Sequence, residues 1–334
     1  MDRRQLRREN TTLRRENEDL KSLVSRKYSF DNIVGNTGEL RRIFDLVERV
    51  ASTRSTVLIT GESGTGKELI ARALHYHSDR RGQPFVSVSC GALPDNLLED
   101  ELFGHVRGAY TDAVADRQGR FVQAHQGSLF LDEIGTMSQN LQVKLLRVLQ
   151  EREVTPLGST QRVAVDVRII AATNTDLRQM MEEKQFRKDL FYRLNVIHLK
   201  LPSLAERRAD IPLLVNHFLA KFSGEMRIPP KAFSPAAMRE LIRFPWPGNV
   251  RQLENVVERA LALSGERVFL EAEDLPDDVC HPGRIVLPEV PIEGDGIQLE
   301  RVVSDFEGRL VVQALEKADW VKTRAARLLN VKRT

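Results

Sequence analysis

Residues 56–60, "TVLIT", run straight into "GESGTGKE" (Gly61 to Glu68) and then into "LIARALHYHS". An apolar strand, a loop carrying Gly61, Gly64 and Gly66, and an apolar-faced helix follow one another without a spacer. No other feature restricts the fold as much. The spacing fits the phosphate-binding loop G-x-x-x-x-G-K, and both flanking elements are the ones that loop requires. Glycines let backbone N–H groups turn inward onto phosphate oxygens, the helix N-terminus adds its dipole, and Lys67 reaches the β- and γ-phosphates. The stretch Gly61, Glu62, Ser63, Gly64, Thr65, Gly66, Lys67 and Glu68 is therefore a candidate nucleotide site. Glu68 stands where a hydroxyl residue usually faces Mg²⁺, so a carboxylate elsewhere has to hold the metal, partly through water.

Further strand-like runs, "PFVSVSC" (84–90), "GSLFLDE" (127–133), "VRIIAATN" (167–174) and "VIHLKLP" (196–202), alternate with helical stretches such as "NLQVKLLRVLQ". That alternation argues for an α/β fold, a parallel sheet with helices on both faces. After Pro202 the strand pattern stops, and "IPLLVNHFLAKFSG", "SPAAMRELIRF" and "VRQLENVVERALALSG" read as a small all-α domain. The expected segments are 1–27, 28–202, 203–272, a Pro-, Gly- and acid-rich linker at 273–297, and a closing helical segment at 298–334. Within the first, Leu6, Leu13 and Leu20 recur every seven residues while Asn10, Asn17 and Val24 fill the alternate position. Leu at d with Asn at a is the pattern of a short parallel dimeric coiled coil. Asn36 to Glu39 reads as a capping box before the helix that carries Leu40, Ile43, Val47 and Val50.

The 334 residues are 41% hydrophobic and 29% charged, a composition of soluble globular chains, and a net charge of +3 is too small to make the whole chain a nucleic-acid binder. Only Cys90 and Cys280 are present, so neither a disulfide framework nor a zinc site is expected, and a reducing cytoplasm fits. No apolar run approaches the roughly 18 residues of a membrane span, so no membrane partner is expected.

"LFLDE" delivers Asp132 and Glu133 at the C-terminal end of a buried strand, where ligand crevices of α/β sheets lie. Asp132 is the candidate Mg²⁺ ligand, and Glu133 the base that polarises water for attack on the γ-phosphate. "AATN" ends the next strand, placing Asn174, with Thr173, to sense that phosphate. "FRKDLFYRLN" carries Arg187 and Arg193, cations of the kind that neighbouring subunits of ring-shaped ATPases place on the developing charge. Arg251, in "PGNVRQL", is placed to reach the nucleotide from the second domain.

Together, "GESGTGKE", "ELFGHVRGAYTDA", "GSLFLDEIG", "FRKDLFYRLNV" and "WPGNVRQLENVVERA" resemble the AAA+ central domain of bacterial sigma-54-dependent transcription activators, over roughly residues 28 to 272. "AARLLNVKRT" resembles the start of a Fis-type helix-turn-helix, and the N-terminal heptads are similar to the linker that follows a receiver or sensor domain. The resemblance implies a hexameric or heptameric ATPase ring that binds ATP and Mg²⁺ and remodels the sigma-54 RNA polymerase holoenzyme. By that resemblance Gly61 to Glu68 hold phosphates, Asp132 and Glu133 form the Walker B pair, Arg187 and Arg193 act in trans, and Arg251 takes the sensor II position. Gly108, Ala109, Tyr110, Thr111, Asp112 and Ala113 match the GAFTGA loop that touches sigma-54.

Two positions depart from the family pattern. Asp112 replaces a glycine in the loop, which motivates an alternative: a nucleotide-controlled oligomer of the same fold without the sigma-54 contact. Ser89 replaces an Asn that holds the catalytic Glu in check, and, being shorter, it is expected to need a water to reach Glu133. A hairpin turning at Pro156 to Ser159 is expected to buttress the 104–119 loop. Lys317, Lys322, Arg324, Arg327, Lys332 and Arg333 cluster near the C-terminus, as DNA phosphate contacts need. The base-reading second helix would begin at Thr334, so enhancer DNA recognition by this chain is expected to be lost or weakened.

Overall fold

The computed structural model describes residues 33–111, 113–280, 299–318 and 320–331. The heptad leucines, Asp112 and most of the 273–297 linker lie outside them. Two compact units are divided after Pro282.

The first unit opens with α1 (Gly38–Ala51), β1 (Val57–Thr60), α2 (Lys67–Tyr76), β2 (Phe85–Ser89) and α3 (Asp95–Phe103). A short hairpin, β3 (Gly104–His105) and β4 (Arg117–Gln118), leads to α4 (Arg120–Gln123), β5 (Ser128–Asp132) and α5 (Gln139–Glu151). A second hairpin, β6 (Glu153–Val154) and β7 (Val163–Ala164), precedes β8 (Arg168–Thr173), α6 (Leu177–Glu182), α7 (Lys188–Leu194) and β9 (Ile197–Lys200). Strands β2, β5, β8, β1 and β9, in that order, form one parallel five-stranded sheet.

Alternate strand residues serve two cores, as a two-residue period requires. Leu58, Leu129, Leu131, Ile169 and Ala171 pack with Leu98, Leu102, Leu145 and Leu190. Val57, Ile59, Phe130, Ile170 and Ala172 pack with Leu40, Val47, Ile70 and Leu74. Both faces being covered, β8 is buried along its whole length, and its centre, Ile169 to Ala172, reads as an unbroken apolar run.

The ends of α1 are held from a distance. Buried Arg168 donates from Nη1 and Nη2 to Ala51 O (2.5 Å) and Val50 O (3.0 Å). At the other end no capping box forms. The Asp210 carboxylate accepts instead from Asn36 N (2.7 Å), Thr37 N (3.1 Å) and Thr37 Oγ1 (2.9 Å). A buried carboxylate facing a helix N-terminus with three donors displaces the local cap, and the Asn36 side chain accepts from Arg41 Nε (2.8 Å).

A helical lobe follows: α8 (Ile211–Met226), α9 (Pro235–Arg243) and α10 (Asn249–Leu263) around fully buried Trp246, with Phe218, Phe222, Leu253 and Val257. It also holds a pair of two-residue parallel strands, Ala232–Phe233 with Phe269–Leu270, too short to show as an alternating pattern. The second unit contains helices Leu299–Lys317 and Lys322–Leu328, joined through Ala314, Ala318 and Ala325. Among the described residues no helix is long and apolar enough to cross a membrane, and no group of three or more His, Cys, Asp or Glu could hold a metal.

Candidate functional site

The loop from Gly61 to Gly66 turns between β1 and α2, with Gly64 at φ 76° and Gly66 at φ 99°, backbone conformations that favour glycine. Lys67 folds over it and donates 2.9 Å hydrogen bonds to both Gly61 O and Glu62 O. Thr65 Oγ1 donates to Glu62 O at 2.8 Å. Burial lowers the Lys67 pKa, an effect opposed by the nearby Asp132 carboxylate. Glu68 turns its carboxylate to Arg72, accepting from Nε (2.9 Å) and Nη2 (2.6 Å).

Asp132 and Glu133 stand at the C-terminal end of β5, on the same side as the loop. Burial raises the Asp132 pKa, opposed by the hydrogen bond from Glu133 N (2.9 Å) and by Lys67. Glu133 adopts a left-handed backbone, φ 54°, and its carbonyl accepts from Thr136 Oγ1 (2.8 Å). Ser89, paired with Asp132 in the sheet register, donates from Oγ directly to Glu133 Oε2 at 3.2 Å. This corrects the expectation of a bridging water. Glu133 comes to the serine because its strained backbone and the bare Gly91 let it: a Cβ on Gly91 would lie 2.5 Å from Glu133 Oε2.

The helical lobe closes over the loop. Gly64 O accepts from Val250 N (3.0 Å) and Arg251 N (3.4 Å), which sets Arg251 beside the loop. Asn249, fully buried at φ 50°, bonds Glu62 and Ser63, and buried Arg207 bonds Thr65 O. A cavity of about 590 Å³ opens next to Thr65 and Gly66, lined by Ile33, Val34, Leu40, Leu214, Phe218 and Val250 among others. Asn249, Arg207 and this apolar slot were not picked out from the sequence. "PGN" marked a turn, and nothing local told that its partners lie nearly two hundred residues earlier.

Asn174, the residue after β8, is exposed and lines a separate cavity of about 430 Å³ with Thr60, Gly61 and Glu62. The Thr173 hydroxyl is buried and paired with Thr175 Oγ1 at 2.8 Å. Arg187 and Arg193 are not brought to the loop. Arg187 is held by Asp189 (3.0 and 2.6 Å). Arg193 donates to Leu149 O at the end of α5 (2.9 Å) and lines a cavity with Arg54, Arg152 and Val167, beside the residues that lead into β1 and β8. That is the opposite end of the parallel sheet from Lys67.

In the glycine-flanked loop, Gly108 N donates to Ala113 O (2.9 Å) and Ala113 N to Tyr110 O (3.0 Å). Tyr110 is 47% exposed, yet its ring stands edge-on to buried His105, 5.0 Å between centroids, and its hydroxyl lies 3.4 Å from His105 Nδ1. His105 in turn bonds Asp100 Oδ1 (2.5 Å). The aromatic is half tucked in rather than pointing freely into solvent. The second hairpin, with Ser159 N on Pro156 O, touches this loop through Val106 N to Leu157 O (3.1 Å) and Leu157 N to Gly104 O (2.8 Å).

The site thus combines a Gly-rich backbone cradle, a buried cation, two strand-end carboxylates and an adjacent apolar slot. Comparisons agree on what such a chain is. The sigma-54 interaction domain matches residues 33–200, the AAA+ ATPase lid domain 205–284, and the Fis family of bacterial regulatory proteins 302–334. Regulatory protein AtoC of Escherichia coli is 46% identical over 327 residues, covering 96% of this chain and 70% of AtoC. The Nif-specific regulatory protein of Azotobacter vinelandii is 48% identical over 320 residues, covering 95% of this chain and 60% of that protein. Among solved structures, NtrX from Brucella abortus in complex with ADP has a TM-score of 0.72 at 36% identity, covering 97% of this chain and 70% of that one. The chain therefore spans between 60% and 70% of the length of these relatives. With all three matches in this order, the chain belongs to the sigma-54-dependent transcription activators, with their AAA+ α/β domain, helical lid and Fis-type helix-turn-helix.

Proposed function

We propose that this chain binds ATP with Mg²⁺, hydrolyses it within a hexameric or heptameric ring of its own copies, and uses the cycle to remodel sigma-54 RNA polymerase holoenzyme at promoters. One observation carries this reading. Lys67, Asp132 and Glu133 share one end of the sheet, while Arg193 lines a cavity at the other. One chain cannot bring both to one nucleotide, whereas a neighbouring copy can, and phosphoryl transfer gains most from a cation on the developing charge.

The residues present fit Mg²⁺–ATP. The apolar slot beside Gly66 takes a nucleobase, the loop N–H groups and Lys67 take phosphates, and Asp132, whose pKa burial raises, gains from a cation at its carboxylate. NtrX, solved with ADP and with ATP, supports the nucleotide assignment. When bound, Mg²⁺–ATP supplies the scissile phosphoanhydride and the charge neutralisation. Glu133 orients water and accepts its proton once Ser89 releases Oε2. Arg251, on the lid helix, touches the phosphates from the same chain, and Asn174 reports on the γ-phosphate. Arg187 and Arg193 act on the neighbour's nucleotide, and Gly108 to Ala113 carry the cycle to sigma-54. In the second unit, Lys317, Lys322, Arg324 and Arg327 supply phosphate contacts to enhancer DNA. We assign 28–202 to the ATPase core, 203–272 to its lid, and the protein to the cytoplasm.

Glu133→Gln should retain nucleotide binding but lose about 100-fold or more in hydrolysis, as removal of a general base does, while Lys67→Ala should lose both. A Glu133→Gln protein hydrolysing at the wild-type rate contradicts the assignment.

A further inference from the structure

Every carbonyl of the loop from Gly61 to Thr65 is already bonded, and three of them are bonded by the helical lobe. Lys67 Nζ takes Gly61 O and Glu62 O. Asn249 Nδ2 donates to Ser63 O at 3.0 Å, Val250 N to Gly64 O at 3.0 Å, and Arg207 Nη2 to Thr65 O at 3.2 Å. Asn249 is the hub: Nδ2 also donates to Glu62 Oε2 (2.9 Å), and Oδ1 accepts from Leu204 N (2.7 Å), where the lobe begins. It is fully buried and left-handed at φ 50°. The lobe packs so close to Gly64 that a Cβ there would lie 2.3 Å from Gly248 O.

A peptide unit has its carbonyl and N–H on opposite sides. Pinning Ser63 O, Gly64 O and Thr65 O toward the lobe therefore turns the intervening N–H groups away from it, toward where phosphates would lie. Arg207 adds a second sign of a ligand-facing role. It is 4% exposed, lines the slot beside Gly66, and its Nε has no hydrogen-bond partner.

We propose that Asn249 and Arg207 are positioning residues through which the helical lobe sets the shape of the phosphate loop, so that lobe position and phosphate affinity form one coupled variable. The proposal rests on the nucleotide reading above and adds which residues couple the lobe to it. Because linkage is reciprocal, phosphate binding at the loop shifts the lobe by the same free energy with which the lobe shifts phosphate binding.

The test compares a ligand with phosphates and one without. Asn249→Gly keeps the left-handed backbone accessible while deleting three side-chain hydrogen bonds. It should weaken ADP binding by about tenfold or more, the effect of losing hydrogen bonds that include a charged acceptor, and change adenosine binding by less than about twofold. Titration calorimetry with ADP, and adenosine competition against a fluorescent nucleotide, read the two. Arg207→Gln, the second variant should Asn249→Gly fail to fold, should show the same split. Equal weakening of ADP and adenosine would mean that these residues merely pack the lobe, whose Leu214, Phe218 and Val250 line the nucleobase slot, and would overturn the proposal. Unchanged ADP affinity in both variants would overturn it too. If the unaltered chain bound no ADP, the nucleotide reading itself would fall, and this proposal with it.

Discussion

Ser89 Oγ donates a hydrogen bond to Glu133 Oε2 at 3.2 Å, on the carboxylate proposed above to activate water. A carboxylate oxygen that accepts from a serine is less free to turn toward a water. The contact is longer than a charge-assisted hydrogen bond at its best, so the restraint is a soft one. Ser89→Ala should raise basal ATP hydrolysis by about threefold to tenfold, in line with the loss of one such bond. A fall in the basal rate would show instead that Ser89 holds Glu133 in its working orientation.

Arg193 and Lys67 lie at opposite ends of one parallel sheet, which makes a mixing experiment decisive. Arg193→Ala alone should lose about 10³-fold in hydrolysis, the scale of an arginine supplied in trans, with nucleotide affinity of the separate subunit little changed. Lys67→Ala should be inactive for lack of its own phosphate contact. Mixing the two inactive proteins should restore part of the activity, because an intact Lys67 then meets an intact Arg193 across an interface. A mixture that stays inactive at concentrations where rings form argues against action in trans.

His75 gives the fold a pH dependence. It is fully buried, with Nδ1 2.9 Å from Ser128 Oγ, and burial takes its pKa from 6.5 down to about 4. The folded chain keeps His75 neutral, while the unfolded chain binds a proton below about pH 6.5. Its contribution is complete above that pH and is lost as the pH falls toward 4, where the unfolded state binds more protons. The full span is worth about 3 kcal/mol. Denaturant unfolding at pH 7, 5.5 and 4.5 should show stability falling with pH, and His75→Gln should flatten that slope. An unchanged slope in the variant places the acid sensitivity elsewhere.

Much of the sheet was legible because buried parallel strands leave apolar runs, and Val57–Thr60, Ser128–Asp132 and Arg168–Thr173 are such runs. The glycine-rich turn after β1 and the strand-end pair Asp132–Glu133 were legible as local features because the parts of each are contiguous in the chain. What escaped was long-range. Asp210 caps α1 from 173 residues away, and Asn249 reaches Glu62 across 187. A local pattern such as Asn36 to Glu39 predicts a cap that a better-placed carboxylate then supplants. Nothing in the glycine-flanked stretch around Tyr110 signals that His105 offers its ring a partner and its hydroxyl a nitrogen.

Sedimentation tests most directly whether a nucleotide-driven ring of this chain engages sigma-54. With a transition-state ATP analogue, the chain should sediment at the mass of a hexamer or heptamer, and added sigma-54 should move with it. Tyr110→Ala should abolish the co-sedimentation while leaving the ring intact. A chain that never exceeds a dimer with the analogue would contradict the account. So would a ring to which sigma-54 fails to bind until Asp112→Gly is introduced, a result that would identify the chain as a regulatory oligomer without the sigma-54 contact.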